Sequence, residues 1–126
     1  MPLRSYKELI AWQQGIELVS EIYRYTKDFP RVEVYGLTNQ IRRAAVSIPS
    51  NIAEGQGRLT RGEFRQFLGH ARGSIFELES QILIAGKLGY VKREDAESLL
   101  QRVAELGRIL NGLLKSLDRE VAVTSH

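Results

Sequence analysis

The sequence predicts an all-α protein, an antiparallel up-down four-helix bundle with a proline-kinked second helix. Three observations predict it. Apolar residues recur three and four positions apart in four successive stretches, the period of one helix face. Glycines, prolines and Ser/Thr–Glu pairs punctuate the gaps between them. No segment reads as strand, and no long-period repeat is visible. Four amphipathic helices with short connections pack as up-and-down neighbours.

The first helix opens at Ser5 and Glu8, a capping-box pair. Leu9, Trp12, Ile16, Val19, Ile22 and Tyr23 follow at helical spacing, and Phe29-Pro30 breaks the helix after about Asp28. The second starts near Glu33 to Tyr35, with Leu37, Ile41, Ala44, Ile48 and Ile52 as its stripe. Pro49 removes one backbone donor inside it. Either the helix kinks there, or it stops at Ile48 and a new one starts. The stripe continues in phase across the proline, which favours the kink. Gly55 and Gly57 end it.

The third helix has the clearest start. Thr60 and Glu63 form a capping box, with Leu59 and Phe64 placed as a hydrophobic staple around it. Phe64, Phe67, Leu68, Ala71, Ile75, Leu78, Ile82 and Ala85 make the stripe, and Leu88-Gly89-Tyr90 closes it with a left-handed glycine. The fourth opens on Glu94, Asp95 and Glu97, acids suited to the positive end of the macrodipole. Leu99, Val103, Leu106, Leu110, Leu113 and Leu117 follow at near-heptad spacing. Residues 1–117 are therefore expected as one domain, and 118–126 as a frayed tail.

The chain has 126 residues, 43% apolar and 26% charged, enough for one core. There is no cysteine, and the histidines are His70 and the terminal His126. That excludes thiolate chemistry and disulfides, and makes a histidine-based metal site a poor fit. No cofactor is expected. No apolar run approaches the roughly 20 residues that span a bilayer. The charged start MPLRSYKELIAW has no signal-peptide core, so a cytoplasmic protein without membrane contact is expected.

Net charge is +3, and all of the excess lies in residues 31–72, with seven basic against three acidic side chains. A local basic zone is a footprint for polyanions, or else a surface that pairs with acids on a neighbouring helix or subunit. On a helical wheel with Arg61 at zero, Arg65 falls at about 40° and Arg72 at about 20°. Arg58 precedes the helix and adds to this cluster. Arg61 and Arg65 repel at i, i+4, and Arg61 opposes the macrodipole. Folding alone would avoid the arrangement. Arg58, Arg61, Arg65 and Arg72 are the candidate nucleic-acid-binding residues, with partner-subunit carboxylates as the other anion.

Arg42 and Arg43 are adjacent, so they diverge by about 100° and do not fork one phosphate. One can face a partner helix while the other faces solvent, and structural pairing at an interface is their expected role. Gln40, Ala44, Ser47, Asn51 and Glu54 form a heptad seam of polar or small side chains beside the apolar stripe. Gln40, Arg42, Arg43, Ser47, Asn51 and Glu54 are candidates for a polar network at a helix or subunit seam, or for a wet flank. Catalysis has little support. His70 lies among Ser74, Glu77 and Gln81 without a shaped nucleophile site, and no Gly-rich phosphate loop is present. No catalytic residue is assigned.

The stretches YGLTNQIRRAAVSIPSNIAEGQGR (35–58), FRQFLGHARGSIFELESQILIA and the later LGY resemble the 23S rRNA intervening-sequence proteins. The resemblance runs from Tyr6 to about Leu117. It implies a four-helix bundle that assembles as a homopentameric ring. It also implies RNA or DNA as a ligand, since a related branch, the accessory variability proteins of diversity-generating retroelements, binds nucleic acid and partners a reverse transcriptase. It carries over no catalytic residue. A ring needs one face to meet a different face of the next subunit. The seams around Asn51–Glu54 and Arg61–Arg72 are suitable opposites. Two functions therefore stand: a non-enzymatic nucleic-acid-binding oligomer, or a protein-interaction adaptor whose basic face meets an acidic partner.

Overall fold

The four apolar stripes become four α-helices. The computed structural model describes residues 5–124, with side chains described through Arg119. The elements are α1 (Ile10–Thr26), α2 (Leu37–Gln56), α3 (Arg61–Lys87) and α4 (Arg93–Thr124), with 3-10 turns at Tyr6–Glu8 and Arg31–Glu33. No strand occurs among the described residues, so the class is all-α. α2 packs on α1 and α3, and α4 packs on α3 and α1, as in a bundle. None of the helices described is long and apolar enough to cross a membrane.

The start of α1 differs from the sequence expectation. The Ser5 hydroxyl accepts from the Lys7 N–H at 3.2 Å, but it caps only the 3-10 turn, because Leu9 is extended (φ −73°, ψ 125°). The buried face is also rotated. Ala11, Gly15, Leu18, Ile22 and Thr26 face inward, while Trp12 and Val19 are half-buried and Ile16 and Tyr23 are exposed. The reason lies on α2. A side-chain carbon on Gly15 would stand 3.3 Å from the Pro49 Cβ, so α1 brings its smallest residue to the proline. Larger residues are turned outward along the flank.

α2 is unbroken across Pro49, so the alternative of two helices does not hold. Leu37, Ile41, Ala44, Ile48 and Ile52 are buried as expected, together with Ala45, Pro49 and Gly55. The helix starts at Leu37, later than Glu33 to Tyr35, because its cap comes from another turn. Glu33 Oε1 accepts the Leu37 N–H at 3.1 Å, and its Oε2 accepts the Tyr90 hydroxyl at 2.9 Å. One carboxylate thus ties the start of α2 to the α3–α4 connection. Its negative charge also suits a helix N-terminus. At the other end, Gly57 caps with ordinary right-handed angles (φ −81°, ψ −3°). Gly55 does not end the helix; it is buried within it.

α3 starts where the sequence places it. The Thr60 hydroxyl accepts the Glu63 N–H at 3.1 Å and lies 3.1 Å from Glu63 Oε1. The expected staple does not form, since Leu59 is 99% exposed. Gly89 (φ 76°) closes the helix, with the Tyr90 N–H on the Ala85 carbonyl at 2.9 Å and the Gly89 N–H on that of Gly86 at 3.1 Å. That double bond satisfies carbonyls the helix end would leave free. α4 buries Ala96, Leu99, Val103, Leu106, Leu110, Leu114 and Leu117. It continues to Thr124, through most of the segment the sequence assigns to a frayed tail; residues 125–126 lie outside the described region.

Two glycines separate packing from propensity. A Cβ on Gly55 would fall 2.7 Å from Phe67 Cβ and 3.0 Å from Phe64 Cδ1, whereas one on Gly69 meets nothing within 4 Å. Gly55→Ala is expected to destabilise by about 1–2 kcal/mol, overpacking outweighing the helix gain. Gly69→Ala is expected to stabilise by up to about 1 kcal/mol. Urea unfolding of the two variants checks the opposite signs. The Tyr90–Glu33 bond also makes stability depend on pH. It raises the Tyr90 phenol above its usual value, with desolvation and the carboxylate charge acting the same way. The folded state therefore favours the protonated phenol. Its contribution is complete below a pH of about 10 and is lost as pH rises through the folded value. Tyr90→Phe should lower the melting temperature at neutral pH, and the gap to the parent should close in alkali.

Candidate functional site

The expected arginine cluster divides. Arg58 donates to Glu54 Oε1 at 3.4 Å and lies 4.6 Å over the Phe67 ring. Phe67 sits about 160° around α3 from Arg65, so these contacts draw Arg58 to the opposite flank. Arg61, Arg65 and Arg72 are exposed on one side of α3. Arg65 Nε donates to Asp118 Oδ1 on α4 at 2.6 Å, with both side chains more than half exposed. That hydrogen bond, and the charge behind it, raise the guanidinium further above its already high range. Arg72 lies 5.6 Å over the Phe76 ring, which is 55% exposed.

The polar line on α2 is less connected than its spacing suggests. Gln40 is exposed. Asn51 turns back on its own helix, Nδ2 donating to the Ser47 carbonyl at 2.8 Å. Glu54 holds Arg58, and that contact is exposed. Among the described residues, Ser47 alone of this line makes a hydrogen bond to another helix, to the hydroxyl of Ser74 on α3. Half-buried hydroxyls satisfy each other there, in place of the arginine partners expected for the seam.

Arg42 and Arg43 behave as adjacency dictates. Arg42 is half-buried against α1, its Nε donating to Thr26 Oγ1 at 2.8 Å and its guanidinium lying 4.5 Å over the Tyr23 ring. Arg43 is exposed. Both border an open groove of about 480 Å³, which Tyr23, Val34, Asn39 and Val46 also line. The spacing of residues in the sequence does not show this groove, because Tyr23 belongs to α1 and reads as core. A second groove of about 290 Å³ runs beside Trp12, Ile16 and Pro49. Among the described residues, no group of three or more acidic or histidine side chains is placed to hold a metal ion. His70 is exposed and meets Phe67 edge-on, with ring centres 5.9 Å apart.

A family model, that of the 23S rRNA-intervening sequence protein, matches residues 7–112. The chain belongs to that family. It is similar to the crystal structure of a protein of unknown function from the S23 ribosomal protein family of Bacteroides thetaiotaomicron. The two share 23% identity with a TM-score of 0.76, over 84% of this chain and 99% of that one. At that identity the likeness shows the fold alone. No curated protein matches.

The Ser47–Ser74 contact is testable by a double-mutant cycle. Ser47→Ala, Ser74→Ala and the pair should show a coupling of about 0.5–1.5 kcal/mol in urea unfolding, the net value of a hydrogen bond. Strict additivity would reduce the seam to a wet flank.

Proposed function

We propose that this chain is a non-enzymatic, homo-oligomeric bundle that binds nucleic acid through basic patches. The observation that carries the reading is Arg72 over the half-exposed ring of Phe76, on the side of α3 that also bears Arg61 and Arg65. A cation beside an open aromatic face offers a phosphate contact and a stacking platform together. The basic excess of residues 31–72 lies on α2, the α2–α3 connection and the first half of α3, so the charge is local.

Assembly is part of the same proposal. Phe76, Leu83, Ile84 and Leu88 are each about half exposed on α3, more apolar surface than scattered single residues explain. A pentameric ring, as the family resemblance implies, would carry about +15 in total and bind polyanions multivalently. We take residues 1–117 as its domain and its helices as antiparallel. Support for the direction comes from paired positions that run oppositely: Gly15 with Pro49 and Thr26 with Arg42, then Arg65 with Asp118 and Gly86 beside Ala96. We also propose a bend in α2 at Pro49, whose missing N–H leaves the Ala45 carbonyl without its helical donor. RNA or DNA in the cytoplasm, with a reverse transcriptase or other protein partner, completes the reading.

One observation favours the second reading, an adaptor for an acidic protein. Arg65 already holds a carboxylate, Asp118, so the α3 face has a demonstrated geometry for protein acids. Salt-dependent binding distinguishes the two. Arg72→Glu is expected to weaken binding of a fluorescent structured RNA by about tenfold or more at low salt. It should also flatten the slope of log affinity against log salt by about 0.9 for each phosphate that is no longer neutralised. Equal affinity and slope in the parent and Arg72→Glu would count against the nucleic-acid face.

A further inference from the structure

We infer that the groove between α1 and the first half of α2 is a binding site for a phosphate-bearing nucleotide, held by Arg42 and Arg43. The site shares no residue with the α3 face, so it stands whether or not that face binds a strand.

Two guanidiniums border the groove, and among the described residues no acidic side chain lines it. Neither arginine forms an ion pair with a carboxylate among the described residues. Adjacent like charges without a counter-charge raise the free energy of the folded chain, and an anion in the groove relieves it.

Arg42 is set in place before any ligand arrives. The Thr26 hydroxyl donates to the Ile22 carbonyl at 2.7 Å, which turns its lone pairs to the Arg42 Nε–H at 2.8 Å. The Tyr23 ring covers one face of the guanidinium at 4.5 Å. These two contacts use Nε and a π-face, and leave the terminal N–H groups for a ligand. Such a fixed planar fork suits bidentate phosphate recognition and loses little entropy on binding. Arg43 diverges along the helix, so it supplies a second charge from the rim and not a second tooth of the same fork.

The rest of the groove fits the organic part of a nucleotide. Val34 and Val46 are 49% and 39% exposed and offer apolar walls to a flat ring. The exposed Asn39 carboxamide carries both a donor and acceptors, the combination that reads a base edge. The volume, about 480 Å³, lies within the roughly 300–1,000 Å³ of small-molecule sites. A bare inorganic anion would leave the apolar walls unused, and an apolar ligand would leave both arginines unpaired.

The nucleotide can be free or a unit of an RNA or DNA strand. NMR titration of the full chain with AMP, and separately with a short oligoadenylate, tells these apart. The Arg42 Nε–H and the Val46 methyl groups are the reporters. Shifts with AMP indicate a free-nucleotide site, and shifts with the oligomer alone indicate a strand unit; either supports the inference. Arg43→Ala should weaken that binding by up to about tenfold, the loss of one cation at the rim. Its circular dichroism should be unchanged, because Arg43 is exposed. Arg42→Lys keeps the charge without the fork and should weaken it too. Three results would overturn the site: reporters unmoved by both ligands, displacement of AMP by polyglutamate at equal affinity, or Arg43→Ala dissociating an oligomer without altering nucleotide binding. The last would make the groove a subunit contact.

Discussion

Close approach at α2 is the constraint on which the rest of the structure depends. This helix meets α1 at Gly15 against Pro49, and meets α3 at Gly55 against Phe64 and Phe67. At each crossing a side chain is absent on one helix where a bulky group stands on the other. Those positions leave almost no freedom to slide, since a single added carbon already collides or presses. They therefore set the register of α1 and α3 on α2. With the register set, Thr26 comes level with Arg42, and Ser47 with Ser74. The surface chemistry is downstream of the packing.

The same constraint explains why much apolar surface remains outside. α1 turns Gly15 and Ala11 inward, and so turns Ile16 and Tyr23 outward. Tyr23 then becomes the platform under Arg42. On α3 the inward face is complete with Leu68, Ala71, Ile75, Leu78 and Ile82, so Phe76 and Leu83 are surplus to the single-chain core. Residues placed this way leave about half of their apolar surface in water, which is the physical reason to look for ligands and partner copies there.

The sequence made α3 legible almost in full, and α4 from its start through Leu110; beyond that Leu114 is buried instead of Leu113, and the helix runs past Asp118 to Thr124. Their stripes consist of large apolar residues with a strong period, and Thr60 and Gly89 mark α3's ends with chemistry local to the chain. α1 was harder because its true inward face includes Ala11, Gly15 and Thr26, which carry little hydropathy signal, while the half-buried Trp12 and the exposed Ile16 carry much. The start of α2 was misplaced because its cap, Glu33, belongs to a preceding turn and owes its position partly to Tyr90, far along the chain. The candidate residues fared according to range. Adjacency implies that Arg42 and Arg43 point apart but not which of them packs on α1, which Thr26 and Tyr23 decide. The division of Arg58 from Arg65 could not be read, because Asp118 lies on a different helix and Phe67 on a different flank. The groove at Arg42 was equally hidden, being made by two helices whose relative rotation only packing decides.

A family member with an oversupplied apolar surface and a local basic zone should be multimeric and should hold polyanions by charge. Light scattering of the purified protein, alone and with a structured RNA at low and moderate salt, tests that joint claim directly. The expected result is a multimer whose mass rises with RNA at low salt and returns to its own value as salt is added. A monomer at all conditions, or a multimer whose mass is indifferent to RNA at low salt, would contradict it.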